Sequence, residues 1–381
     1  GGGGVHGVNW QTVVFIFGMM TMVEGLARTG FFRWLCLWVA RVCGCRVAPV
    51  FIGFMLLSGF LSMFIDSITV MLFLATTTIS LARLLKFDPV PFIIAEISAA
   101  NIGGSATMAG DPPNIIIGTS FGFTFTDFLF NTGPIAWAGM GVALALFYLF
   151  FRKVLVSGGG QSASELMGVC PLPNSAIIDR GRFNRGVAIF ILVILLLITH
   201  AQTGLAVASI GVIAAALTLA NSTDALTHVL RRVDWLTLGF FVGLFVAVGG
   251  LEVTGVLKKL SDLILQTSQG NEVVVNGFIL WISAFASAIV DNIPFAAAMV
   301  PVVAGLADQG MALRTLSWSL ALGADIGGNG TPIGASANVV GTAIAQKEGY
   351  PIGWGRYCKY ALPAMIVVVG LAHVLIVVIY F

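Results

Sequence analysis

The chain has 381 residues, of which 58% are hydrophobic and only 9% charged, for a net charge of +2. Its mean hydropathy is +0.98. So little charge cannot coat a soluble surface, so the composition excludes soluble enzymes and nucleic-acid binders and points to an all-α polytopic membrane protein.

The opening GGGG reads as the start of a fragment rather than a signal peptide. An apolar run at 8–23 predicts a membrane helix over 8–27, with Glu24 near the interface. Val47 to Ala82 is a stretch of 36 residues whose only charge is Asp66. As one straight helix it would extend about 54 Å, against a hydrocarbon core of roughly 30 Å. It must break at Asp66-Ser67, either into two full spans or into a re-entrant hairpin over 47–85. Segment 90–123 is interrupted by GGSATMAGDPPN at 103–114, which cannot continue a helix. A helix at 126–151 and a polar linker at 152–185, containing SGGGQSASE, follow. Two apolar helices, near 186–200 and 203–221, fill segment 186–234.

Beyond 234 the chain repeats itself. Residues 10–30 align without gaps on 235–255 with 9 identities in 21, an offset of 225 that also matches Asp66 to Asp291. At an offset of 224, residues 99–114 match 323–338 with 7 identities in 16. Repeat one therefore spans 1–151, and repeat two spans 235–381 with a helix at 235–252, a hairpin at 273–307 around Asp291-Asn292-Ile293-Pro294, a broken helix at 312–346 and a helix at 357–381. Repeat two is preceded by two helices that repeat one lacks, so further N-terminal helices are expected in the native protein.

The basic residues favour opposite orientation of the repeats. If helix 8–27 runs inward, the first hairpin opens to the cytoplasm, the 152–185 linker is cytoplasmic and the second hairpin opens outside. Then 16 of the 19 Lys and Arg are cytoplasmic, and only Lys258, Lys259 and Arg314 lie outside.

Irregular backbone at membrane depth is tolerated only where protein, water or an ion satisfies it. Broken helices in inverted repeats build midplane sites in secondary transporters. Two half-sites are expected: Asp66, Ser67 and Thr69 against Gly103, Gly104, Thr107, Gly110, Asp111 and Asn114; and Asp291 and Asn292 against Gly327, Gly328, Asn329, Thr331, Gly334 and Asn338. A mid-membrane carboxylate costs at least about 2.5–3.5 kcal/mol and calls for a cation or a proton. Asp66 and Asp291 are thus candidates for a coupling ion, H⁺ or Na⁺, with Asn114 and Asn338 as further Na⁺ ligands; helix capping is the plainer reading of the two acids. Asp111 faces Ala335 in the alignment and breaks the symmetry; it is either a selectivity or proton group or an N-cap. Glu96 and Asp325 rank lower, and Thr76-Thr77-Thr78 reads as backbone bonding. None of the four His lies in a motif, no organic cofactor or other metal is indicated, and the CxC at Cys43 and Cys45 reads as incidental, with no disulfide framework expected.

MFIDSITVMLFLATTTISLARLLKFDPVPFIIAEISAANIGGSATMAGDPPNIIIG and IVDNIPFAAAMVPVV with GGNGTPIGASANVVGTAIAQKEGY resemble the ion transporter superfamily, nearest its P-protein (pink-eyed dilution) and ArsB/NhaD-type members. The resemblance implies a scaffold and a mobile transport domain of two hairpins and two broken helices, working as a homodimer by an elevator mechanism. The related dicarboxylate symporters carry Ser-Asn-Thr at their hairpin tips, where Asp66-Ser67-Ile68-Thr69 and Asp291-Asn292-Ile293-Pro294 stand here.

The expected activity is therefore secondary transport of a small inorganic ion coupled to H⁺ or Na⁺, with Na⁺/H⁺ antiport favoured over arsenite or chloride efflux, and di- or tricarboxylate symport third. The host would be a bacterial plasma membrane or a eukaryotic organelle membrane. The rival readings are a passive channel and an intramembrane aspartyl protease using Asp66 and Asp111, which would leave the second hairpin without a purpose.

Overall fold

A computed structural model of the chain describes residues 8–157, 167–222, 227, 230–231 and 233–381, and all its regular elements among these are helical. The GGGG opening, most of SGGGQSASE and part of the stretch before 234 lie outside the described residues. Seven of the described helices are long and apolar enough to cross a membrane, which makes this an integral, multi-pass membrane protein.

Repeat one begins with α1 (Trp10–Ala27) and a short α2 (Phe31–Val42). The hairpin follows as α3 (Val47–Leu61) and α4 (Ser67–Leu85), then the broken pair α5 (Val90–Gly104) and α6 (Pro112–Phe121), then α7 (Phe125–Ser157). Next come α8 (Arg180–Thr203) and α9 (Val207–Asn221). Repeat two reproduces the order: α10 (Trp235–Val253), α11 (Val256–Ser268), the hairpin α12 (Glu272–Ile289) and α13 (Asn292–Asp308), the broken pair α14 (Leu313–Gly327) and α15 (Ser336–Lys347), and α16 (Trp354–Tyr380). The polar stretch between the repeats is shorter than its sequence suggests, because α7 runs on to Ser157 and α8 starts at Arg180, capped by Asp179. The short α2 and α11, unmarked by any long apolar run, sit at matching places in the two repeats.

Each hairpin lies along its broken helix. α3 has only 15 residues, about 22 Å of helix, and runs beside α5. Ser58 Oγ donates to Glu96 O at 2.7 Å, and in the second repeat Ser287 Oγ donates to Ala324 O at 2.6 Å. The approach is close enough to require small residues: a Cβ on Gly103 would stand 2.1 Å from Gly59 O, and one on Gly327 would stand 2.3 Å from Ala284 Cα. Both hairpin tips are thereby held at the breaks rather than beyond them.

Ion pairs fix which ends share a side. Arg83 at the end of α4 meets Glu348 after α15 at 2.7 Å, and Asp88 before α5 meets Arg356 in α16 at 2.6 Å. At the opposite end, Asp127 in α7 meets Arg314 in α14. The broken helix of one repeat thus starts where that of the other finishes.

The first helices of the repeats differ in their surroundings. α1 packs on α9 through Gly18 against Gly211 and Gly25 against Thr218, whereas a Cβ added to the aligned Gly243 or Gly250 of α10 would meet no neighbour within 4 Å. One expectation is overturned: Cys45, after α2, and Cys170 form a disulfide, with Cα atoms 6.4 Å apart. A sequence separation of 125 residues carries no spacing signal for such a pair. Cys43 stays free, as do Cys36 and Cys358.

Candidate functional site

The two breaks are held open by the same device. Asn114, in the first turn of α6, points Nδ2 back at Gly104 O and Thr107 O, both at 3.0 Å. Asn338, in the first turn of α15, does the same to Gly328 O and Thr331 O, both at 2.7 Å. Thr107 Oγ1 donates to Met63 O at the end of the first hairpin's ascending arm, and Thr331 Oγ1 donates to Ala288 O in the second. Gly110 and Gly334 pass so near Gly104 O and Gly328 O, each 2.4 Å from an added Cβ, that no side chain fits. Carbonyls that a helix end leaves unpaired are therefore satisfied by side chains of the next helix, as a buried break demands.

The hairpin tips supply the polar face. Asp66 caps α4, with Oδ1 accepting from Thr69 N at 2.9 Å and Oδ2 from Thr69 Oγ1 at 2.8 Å. Asp291 caps α13 by accepting from Ile293 N at 3.2 Å. Ser67 Oγ reaches Asp111 Oδ1 at 3.0 Å, so tip one touches break one. Asn292 crosses between repeats: its Nδ2 lies 2.9 Å from Asp111 Oδ2 and 3.5 Å from Asp325 Oδ1. The Asp111 side chain makes no capping bond to α6, which leaves both of its carboxylate oxygens for the two tips.

A second bridge joins the breaks directly. Asn101 Nδ2 donates to Asn329 Oδ1 and to Asn338 Oδ1, both at 2.8 Å, while Asn329 Nδ2 faces Ser98 O at 3.3 Å. Asn101, Asn329, Asn338, Asn114 and Asp325 are all 0% exposed.

All seventeen candidate positions thus fall around two breaks that meet, with distinct parts. Gly103, Gly104, Gly110, Gly327, Gly328 and Gly334 make close approaches; Thr107, Thr331, Asn114 and Asn338 bind backbone; Thr69 holds Asp66. Asp111 and Asn292 form the contact between halves. Reading the sequence alone does not single out Asn101, and it ranks Asp325, which the structure places within 3.5 Å of Asn292, below the tip residues. The available signal is that they occupy one column of the internal alignment, an amide in one copy and an acid in the other. Thr76 and Thr77 bond their own helix, but Thr78 departs from that reading by donating to Glu96 Oε1 at 2.6 Å.

Beside the tips lies a cavity of about 480 Å³, walled by Ile16, Met19, Met20 and Val23 of α1 and by Leu236, Thr237, Phe240 and Phe241 of α10. Its polar lining includes Asp66, Ser67, Asp111, Asp291, Asn292 and Ser336, with no Lys, Arg or His among the described residues. Four helices, α4, α6, α13 and α15, begin at this lining. Helix starts favour anions and the three carboxylates favour cations, so the cavity offers both kinds of contact.

Comparison with known proteins agrees with this architecture. An uncharacterized transporter of Mycobacterium tuberculosis is 35% identical over 97% of this chain and 86% of its own length. The 46 kDa membrane protein of Mycobacterium leprae is 33% identical over the same shares. The P protein of Homo sapiens is 30% identical over 98% of this chain, which spans 54% of that protein. The family model described as citrate transporter, CitMHS, matches residues 2–323. By that family model and these relatives the chain is a membrane transporter rather than an enzyme, and it belongs to the CitMHS citrate transporter family within the ion transporter superfamily.

Proposed function

We propose that the chain is a secondary active transporter that takes its solute into the cavity between the hairpin tips and helices α1 and α10, coupled to H⁺ or Na⁺. The observation that carries this reading is the lining: three carboxylates, Asp66, Asp111 and Asp291, and no basic side chain among the described residues. Charge of one sign at membrane depth is tolerable only when a cation or proton accompanies it. The favoured solute is a small inorganic cation exchanged for protons. In this reading both hairpins are re-entrant, and the hairpins with the broken helices move as an elevator against a scaffold of α1 and α8–α10 within a homodimer in the lipid bilayer. The short α3 and the placement of both tips at the breaks support it.

A second reading has its own support. The family's description names citrate, and four helix starts at the cavity suit carboxylate oxygens. With three aspartates already present, a carboxylate would enter together with a cation that covers its charge. Chloride shares the helix starts but brings no such cover, and neutral arsenite makes no use of the carboxylates.

The test is a panel of proteoliposomes holding an entrapped pH dye under an imposed pH gradient. Na⁺ or Li⁺ is expected to discharge the gradient. Discharge by citrate with a divalent cation, and not by Na⁺ or Li⁺, would replace the first reading with the second. A gradient unaffected by Na⁺, Li⁺, arsenite, chloride and citrate alike would refute both.

A further inference from the structure

The two breaks are copies in backbone but not in chemistry. Asn101 in α5 and Asp325 in α14 occupy one aligned position, 224 residues apart, and each looks across to the first turn of the other repeat's second half-helix. Asn101 meets Asn338 of α15, with Nδ2 donating to Oδ1 at 2.8 Å. Asp325 lies beside Asn114 of α6, the residue aligned with Asn338.

In the first pair a donor meets an acceptor. In the second no hydrogen bond of ordinary length closes the pair, because Asn114 has spent its Nδ2 on Gly104 O and Thr107 O. Asn114 Oδ1 and Asp325 Oδ2 are both buried with no protein hydrogen-bond partner. An orphaned buried acceptor costs about 1–3 kcal/mol, and a hydrogen on Asp325 Oδ2 that reached Asn114 Oδ1 would relieve both.

We propose that Asp325 is a proton-carrying site: protonated, its Oδ2–H donates to Asn114 Oδ1 just as Asn101 Nδ2–H donates to Asn338 Oδ1. Asn101 is then a permanent copy of the protonated state, and this layer of the molecule carries one proton rather than two. The reaction is the bare association of a carboxylate with a proton from water on one side of the membrane and its release to water on the other. A 2.8 Å line such as that between Asn101 and Asn338 has room for a hydrogen but not for a metal ion. When Asp325 gives up its proton it keeps Asn292 and loses Asn114, so the head of α6, with Asp111 before it, is released from α14. Proton loading thereby reaches the cavity through Asp111 and Asn292, although Asp325 itself is outside the lining.

The charged groups facing Asp325 are Asp111, whose carboxyl lies directly beside it as well as across Asn292, with Asp291 and Asp66 beyond at the heads of α13 and α4. On the other helices packed against α14, Glu96 of α5 is engaged by Thr78 and Asp127 of α7 by Arg314; Glu272 heads α12 at the far end, and Tyr357 of α16 is buried. No Lys or Arg is hydrogen-bonded to the carboxyl among the described residues.

This inference deepens the proposed cation coupling and rests on it for the proton's onward route, but its test needs no solute. Infrared pH-difference spectra of the purified full chain in lipid, in K⁺ buffer, should contain the C=O stretch of a protonated buried carboxyl that disappears as the pH rises. Asp325→Asn should remove that band while leaving the melting temperature within a few degrees of the parent, since the new amide can donate to Asn114 as Asn101 does to Asn338. Asn101→Asp should add a second band. Retention of every protonated-carboxyl band in Asp325→Asn, loss of the band when Na⁺ replaces K⁺, no gain in Asn101→Asp, or unfolding of Asp325→Asn would each overturn the proposal. A failed flux panel with the expected spectra would instead remove the transported solute and leave the proton site standing.

Discussion

The first break, between α5 and α6, and the second, between α14 and α15, have the same frame and different contents. Both use an Asn in the first turn of the second half-helix, a Thr in the break that donates to the hairpin arm and two glycines where backbone touches backbone. Among the aligned positions at which they part are Asp111 against Ala335 and Asn101 against Asp325. The comparison teaches that the frame answers a requirement common to both repeats, satisfying backbone at membrane depth, whereas the asymmetric positions carry the chemistry of a single solute path.

Breaking the shared frame should have the largest effect, and a nearly equal one in both halves. Gly103→Val and Gly327→Val each drive a side chain into the backbone of the neighbouring hairpin arm, with no flexible group to yield. Neither variant is expected to give a monodisperse folded protein by size-exclusion chromatography. A folded, stable protein from only one of them would mean that the two approaches are not equivalent.

A smaller and graded loss should follow from Asn114→Ala and Asn338→Ala. Each frees two buried carbonyls, at about 1–3 kcal/mol per unsatisfied group. Asn338→Ala additionally removes one of the two acceptors of Asn101 Nδ2, so thermal unfolding should rank it below Asn114→Ala by about 1 kcal/mol. The reverse order would show that Asn101 contributes nothing to holding the breaks together.

Much of this frame is legible in the sequence. A 36-residue run with one charge cannot cross a bilayer straight, and the internal match of 99–114 to 323–338 marks both breaks. The capping reading of Asp66 and Asp291 is legible too, since Asp before a helix start is a standard cap, and the structure shows those bonds at both tips. What stays hidden are contacts between repeats. No spacing in one strand of sequence indicates that Asn292 reaches Asp111 across 181 residues or that Asn101 reaches Asn338 across 237. The same holds for Cys45 with Cys170. The amphipathic α2 and α11 escape because neither is apolar enough to register as a membrane span, and only the inverted placement of the repeats gives them matching roles.

Asp111 is where both hairpin tips and both breaks come together, so coupled flux through its variants tests the whole account most directly. In proteoliposomes under an imposed pH gradient, with the discharging solute identified by the same solute panel, Asp111→Asn is expected to abolish gradient-driven transport. Ala335→Asp added to that variant should not restore it, because position 335 belongs to the other half of the site. Gradient-driven transport at the parent rate in Asp111→Asn, or its recovery on adding Ala335→Asp, would contradict an asymmetric site built between two symmetric breaks.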